Sequence, residues 1–225
     1  MTAAVQSAPP LPTLDTVSNP TYTAHCKHSD LPPSEQILRQ CARLQVYDAD
    51  KKAYSFESLY KDRRCMIIFV RHFLCGLCQD YLSALMAAMS PKSLAAAERT
   101  TSLIVIGCGQ PEAIRDYAAN TKCTFPIYAD PDRRIYDALG MKASLDMGSR
   151  RPKYQSNNTV ANAIKSIIQG LSSGANAFKG GNFAQMGGEF LFDDNRVTWC
   201  YRMRNTRDHT EITELSEVLG IGEDA

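Results

Sequence analysis

The sequence predicts an α/β fold, and three observations carry that prediction. Two six-residue apolar runs, Cys65–Val70 and Ser102–Gly107, and a shorter one at Phe125–Tyr128 have strand length. Segments with helical composition or start signals alternate with them. Near the C-terminus two strand-like segments flank Asp193-Asp194-Asn195, a turn sequence that makes them an antiparallel hairpin.

Residues 1–33 read as a flexible arm, punctuated by Pro9, Pro10, Pro12, Pro20, Pro32 and Pro33. Ser34-Glu35-Gln36-Ile37 has the form of a helix start, a capping hydroxyl followed by an acid and an amide. A strand is expected near Leu44–Tyr47, with a turn at Asp48-Ala49-Asp50, and Ser55 is expected to cap one helical turn through Tyr60. Cys65–Val70 is apolar at every position, the pattern of a strand buried on both faces in a parallel sheet covered by helices. A helix is expected over Gln79–Met89, with Leu82, Leu85, Met86 and Met89 on one side. Ser102–Gly107 is the second buried strand, and Pro111 opens a helix at a position where its missing N–H costs nothing. After the Phe125–Tyr128 strand, Asp132–Leu139 forms a short helix stopped by Gly140.

Residues 141–186 break this rhythm and read as an insertion, with a helix over Thr159–Gln169 and a stretch rich in Gly, Ser and Asn. Glu189–Phe192 and Val197–Arg202 then close the sheet, and a last helix runs from Thr210 to Leu219, ended by Gly220. Residues 34–225 are therefore one domain with a mixed sheet flanked by helices, a C-terminal hairpin and the insertion before it.

The chain has 225 residues, 44% hydrophobic and 22% charged, enough for a sizeable core. A net charge of +1 leaves no electrostatic case for nucleic acid or an anionic membrane as partner. Residues 1–33 hold no signal-peptide-like apolar run, and no segment approaches the ~20 apolar residues that span a bilayer. The expectation is a cytoplasmic protein in a reducing compartment. Of the eight cysteines, Cys26, Cys41, Cys65, Cys75, Cys78, Cys108, Cys123 and Cys200, most then read as small buried hydrophobes.

The close pair in Cys75-Gly76-Leu77-Cys78 is different. It follows a buried strand and opens a helix, where unpaired N–H groups and a partial positive charge stabilise a thiolate. Cys78, one turn on, is placed to attack a mixed disulfide or sulfenic acid formed at Cys75. Arg71 and His72 upstream add positive charge, and His72 is a candidate for proton transfer. Two other readings remain: inert core cysteines, or half of a zinc site completed by His25, Cys26 and His28. Cys108, between Gly107 and Gly109 at a strand's carboxyl end, is a third redox thiol or a rim cysteine. Cys65, Cys123, Cys200 and Trp199 read as packing residues. No cofactor or resident metal is implied, since no glycine-rich phosphate loop follows any strand.

The stretch Phe69-Val70-Arg71-His72-Phe73-Leu74-Cys75-Gly76-Leu77-Cys78 closely resembles the AhpC/TSA-type peroxiredoxin-like group, which includes selenoprotein U-like and prostamide synthase-like proteins. Phe125–Asp132 with Ile135-Tyr136 and Leu139-Gly140 resembles the group's strand-turn-helix segment. Gly187-Gly188-Glu189-Phe190 with Tyr201–Asn205 resembles its final hairpin, so the similarity covers about residues 35–220. It implies a thioredoxin-like fold, with Cys75 as nucleophile and Cys78 as resolving thiol. It also implies that a late-strand arginine, Arg202 ahead of Arg204 and Arg207, touches the thiolate. The implied function is reduction of a peroxide or disulfide, with electrons from a thiol donor such as thioredoxin or glutathione, by a chain that is free to form oligomers. The alternatives are reduction of an organic endoperoxide, with residues 141–186 walling a pocket, and a non-enzymatic redox sensor or scaffold.

Overall fold

The computed structural model describes residues 30–155 and 180–221. The chain runs α1 (Glu35–Ala42), β1 (Gln45–Tyr47), β2 (Ala53–Ser55), a 3-10 turn (Phe56–Leu59), β3 (Cys65–Val70), α2 (Gly76–Ala88), α3 (Pro91–Ala96) and β4 (Ser102–Gly107). A second 3-10 turn (Pro111–Ala113) leads into α4 (Ile114–Thr121), β5 (Ile127–Ala129) and α5 (Arg134–Ala138). Beyond residue 180 come β6 (Gly188–Asp193), β7 (Arg196–Arg202) and α6 (Ile212–Leu219).

Seven strands form one mixed sheet in the order β2-β1-β5-β4-β3-β6-β7. β3, β4 and β5 are parallel neighbours. β6 lies antiparallel on the other side of β3, and β7 closes that edge as its hairpin partner. The hairpin turn places Asp194 and Asn195 at φ 48° and 62°, the left-handed pair that a two-residue turn matched to strand twist requires. At the opposite edge β1 runs antiparallel to β5 and carries β2.

β3 explains why its sequence is apolar throughout. Met66, Ile68 and Val70 pack under Tyr81, Leu82 and Leu85 of α2, Tyr117 of α4 and Leu215 of α6. Ile67 and Phe69 face the other way, into Phe56, Tyr60, Tyr136, Phe190 and Phe192. Alternation with period two thus serves two cores from one strand, and all six residues are buried. Tyr136 of α5 donates its hydroxyl to the carbonyls of Val70 and Ile106, at 2.7 and 2.9 Å, and so ties the carboxyl ends of β3 and β4 together.

Several boundaries differ from the sequence expectation. α2 begins at Gly76, where the cysteine pair was expected to open a helix and three residues before the helical composition at Gln79, with Cys75 as its cap. β2 and α3 were not expected: β2 is three residues with its ends exposed, and α3 is a six-residue helix. Pro111 opens a 3-10 turn ahead of α4. The expected helix over Thr159–Gln169 and the arm up to residue 29 lie outside the described residues. Asp30, at the arm's end, donates its N–H to the Cys200 carbonyl at 2.8 Å, which lays residues 30–33 against β7. No helix among the described residues is long and apolar enough to cross a membrane.

Gly187 lets β6 start close beside β3, and Gly188 lets it lie close to β7. A Cβ on Gly187 would run into the Phe69 carbonyl oxygen, and one on Gly188 into that of Tyr201. The atoms met are backbone, so no rotamer change relieves the clash. Gly187→Ala is expected to destabilise the protein by roughly 3 kcal/mol or more, seen as a lower urea midpoint at unchanged slope. A midpoint equal to that of the wild type would show that this approach of β6 to β3 is not tight.

Candidate active site

Cys75 is the N-cap residue of α2, with extended backbone at φ −79° and ψ 105°. Its sulfur occupies the place where a helix ordinarily keeps a Ser or Asp oxygen, and it accepts the Cys78 N–H at 3.4 Å. Arg71, the residue after β3, places Nη1 3.3 Å from the same sulfur. Its guanidinium is fixed from behind: Nη2 donates to the Phe183 carbonyl at 2.6 Å and Nε to that of Gln185 at 3.2 Å. The Arg71 backbone N–H reaches the Cys78 sulfur at 3.4 Å, and its carbonyl accepts the Cys108 S–H at 3.0 Å. Arg71 thus contacts three thiols, all buried, with Cys75 2% exposed.

Burial alone would push the Cys75 thiol up. The Cys78 side chain, the Arg71 charge and the Cys78 backbone N–H outweigh it and bring Cys75 down to about 6. Cys78 goes the other way, raised by burial and then by the charge on Cys75. The pair therefore shares one negative charge, carried by the first sulfur. Burial pushes Cys108 up to about 11, so it is a thiol rather than a thiolate at neutral pH. His72 is buried against Phe183 at 4.9 Å, and burial with the neighbouring Arg71 pushes it down to about 3. It is neutral at physiological pH, so of the two residues upstream of the pair only Arg71 brings positive charge.

Arg202 corrects another expectation. On β7 it alternates with Tyr201, which packs on the α2 side, and shares its face with Cys200 in the opposite core. Its Nε donates to the Leu139 carbonyl at 2.6 Å, its Nη1 to that of Leu31 at 3.2 Å, and its guanidinium lies 5.2 Å over the Phe190 ring. Arg204 contacts Asp30 and Asp208. The guanidinium beside Cys75 belongs to Arg71. Cys65 and Cys200 are buried as expected, and Cys123 is half-buried. Among the described residues no cluster of His, Cys, Asp and Glu has the form of a metal site, and His25, Cys26 and His28 lie outside them.

Sequence reasoning missed a buried acid. Glu189 on β6 pairs with Ile68 and so shares the α2 face of the sheet. Its Oε1 lies 2.6 Å from His209 Nδ1, and its Oε2 accepts the Thr210 hydroxyl at 3.1 Å. The signal available was a lone Glu inside Gly188-Glu189-Phe190-Leu191-Phe192, an otherwise apolar run.

A helix that opens directly after the central strand of this mixed sheet, with Cys75 and Cys78 at its start, defines a class of fold: thioredoxin-like. The solved structures it resembles fit that class. Peroxiredoxin 6 of Arenicola marina superposes with a TM-score of 0.52 at 13% identity, covering 79% of this chain and 68% of its own. Xanthomonas campestris peroxiredoxin Q gives 0.50 at 11%, covering 85% and 94%. The family is shown by sequence. Residues 85–205 match the model described as AhpC/TSA antioxidant enzyme. "Peroxiredoxin-like 2C" of Homo sapiens is 33% identical over 193 residues, 84% of each chain, and its Mus musculus counterpart is 32% identical over 189 residues, 83% of this chain and 82% of its own. The chain belongs to the AhpC/TSA antioxidant enzyme family, and its role is thiol-dependent redox chemistry. The matched model begins after Cys78, so the roles of the two cysteines rest on their geometry.

That geometry makes a prediction for Arg71. Arg71→Met removes the charge and keeps much of the apolar stem. The pH midpoint of Cys75 alkylation is expected to rise by about one unit, a loss of ~1.4 kcal/mol in thiolate stabilisation. An unchanged midpoint in a variant that melts cooperatively would leave the helix terminus as sole activator.

Proposed function

We propose that the protein reduces a small peroxide through Cys75, with Cys78 as the resolving thiol. The observation that carries this reading is the Cys75 sulfur, held between the first turn of α2 and the Arg71 guanidinium with Cys78 one turn away. The Cys75 thiolate attacks the distal peroxide oxygen, the O–O bond breaks, and the alkoxide or hydroxide leaves as alcohol or water on taking a proton. Arg71 bears on the negative charge before and during transfer. Cys78 then attacks the resulting sulfenic acid, releasing water and closing a Cys75–Cys78 disulfide. Two electrons from a thiol donor of the thioredoxin or glutathione kind reopen it, and the same exchange lets the pair reduce a protein disulfide.

The near-complete burial of Cys75 favours a small peroxide over a bulky endoperoxide. A cleft of about 970 Å³, lined by Leu31, Pro32, Ile37, Leu139 and Arg202, includes neither thiol.

Peroxide-dependent NADPH oxidation, with thioredoxin and its reductase supplied, tests the reading. Cys75→Ser is expected to lower turnover about 100-fold or more. Cys78→Ser is expected to keep one fast peroxide equivalent per chain and lose most thioredoxin-supported turnover. Turnover that survives Cys75→Ser would contradict the assignment. Oxidation of the wild type without turnover would point to a sensor instead.

A further inference from the structure

Beneath α2 lies a buried polar pair that has no part in the steps just described. Glu189 is fully buried, and His209 is 5% exposed. Burying a carboxylate among apolar side chains costs several kcal/mol unless partners are supplied, and here two elements supply them. His209 Nδ1 takes one carboxylate oxygen and Thr210 the other. The imidazole lies flat on the Tyr81 ring, 4.2 Å between centres and 4° between planes. Its backbone N–H donates to the Tyr154 hydroxyl at 3.2 Å, and Tyr154 packs on Tyr81 at 5.1 Å. The ring is thus held on its edge, its face and its backbone. Yet Nε2 is buried with no hydrogen-bond partner among the described residues.

This is the arrangement of an oriented base. A carboxylate that accepts from Nδ1–H fixes the tautomer and leaves the lone pair on Nε2. Tyr81 follows Cys78 by three residues on the same face of α2, and Tyr81 and Tyr154, the two tyrosines that hold His209, both lie within electrostatic reach of Cys78. Cys78 has to lose a proton to act, and its surroundings otherwise hold it protonated. Arg71 is a permanent cation, and the nearby tyrosines are phenols at neutral pH. We propose that the Glu189–His209 pair accepts the Cys78 proton during disulfide closure, with Tyr81 as the positioning residue that holds the imidazole. The proposal rests on the Cys75/Cys78 assignment made above.

The step balances without a further oxidant or reductant. The Cys78 S–H bond breaks and its proton passes to His209 Nε2. The freed electron pair on Cys78 attacks the Cys75 sulfur and forms the S–S bond. The S–O bond of the sulfenic acid breaks, and the departing hydroxide takes the proton back from the imidazolium as water. Glu189 stabilises the imidazolium in between, as an adjacent carboxylate does. The titratable groups that face the ring are Glu189 from β6, Tyr81 and Cys75 from α2, Tyr154, and Tyr201 of β7 with its partner Asp208.

The test separates formation of the sulfenic acid from its closure. The reduced full-length chain is mixed with hydrogen peroxide, quenched with dimedone at intervals, and mapped for Cys75 sulfenic acid and the Cys75–Cys78 disulfide. For His209→Gln and Glu189→Gln, closure is expected to slow about tenfold more than formation does, and to regain speed as hydroxide rises from about pH 7 to about pH 9. Closure slowed no more than formation, in variants that melt cooperatively, would overturn the pair's role. Should both variants fail to fold, the wild type decides. Its closure rate must level off while Cys78 is still a thiol, and a rate that rises in proportion to hydroxide up to about pH 9 would overturn the proposal. A wild type that closes a disulfide but fails these tests sinks the pair alone. A wild type that forms no Cys75–Cys78 disulfide sinks the cysteine assignment and the pair with it.

Discussion

A sulfur atom caps α2, and the site is arranged around that one contact. The cap draws the Cys75 side chain back over the first turn, where unpaired N–H groups favour negative charge. The interaction that starts the helix is therefore the one that favours the thiolate. Arg71 adds the second share, and its aim depends on carbonyls of Phe183 and Gln185, 112 and 114 residues further along the chain. Gln185 is in turn held by the carbonyls of Met141 and Lys142. The surroundings of Cys75 exist only when both flanks of the 141–186 insertion are folded against this site.

β3 can deliver Cys75 to that position because it is the best-buried strand of the sheet. Its alternate residues anchor two separate cores, and each fully buried large side chain is worth about 1.5–3 kcal/mol. Tyr136 pins its carboxyl end to β4, and Gly187 lets β6 approach without displacing it. The loop from Arg71 to Leu74 leaves a fixed point, so the guanidinium and the sulfur keep their separation. Beneath α2 the polar Glu189–His209 pair is the exception to an otherwise apolar layer.

The class of fold, β3, β4, the hairpin and the cysteine pair were legible because each is a local pattern: an apolar run of strand length, two turn residues between strands, two thiols one helical turn apart. β2 was not legible because a three-residue edge strand with exposed ends carries no hydrophobic signal. The start of α2 was legible from the cysteine pair but not from composition, which turns helical only at Gln79, because Cys is not among the usual N-cap residues. Arg202 failed for a different reason. Strand parity can be read from sequence, but which face of β7 lies on the α2 side is decided by how β6 and β7 dock on β3. Glu189 stood out as an acid in an apolar run, yet its partner His209 lies beyond the end of β7 and meets it only in the folded chain.

The central claim is that the reduced protein carries its thiolate on Cys75 at neutral pH. Brief alkylation of the full-length chain with iodoacetamide at about pH 7, followed by peptide mapping of every cysteine, tests it most directly, because the thiolate is the reacting form. Cys75 is expected to be modified about tenfold or more faster than Cys78, Cys108 and the remaining cysteines. Faster modification of Cys78, or equal slow modification of both, would contradict the account.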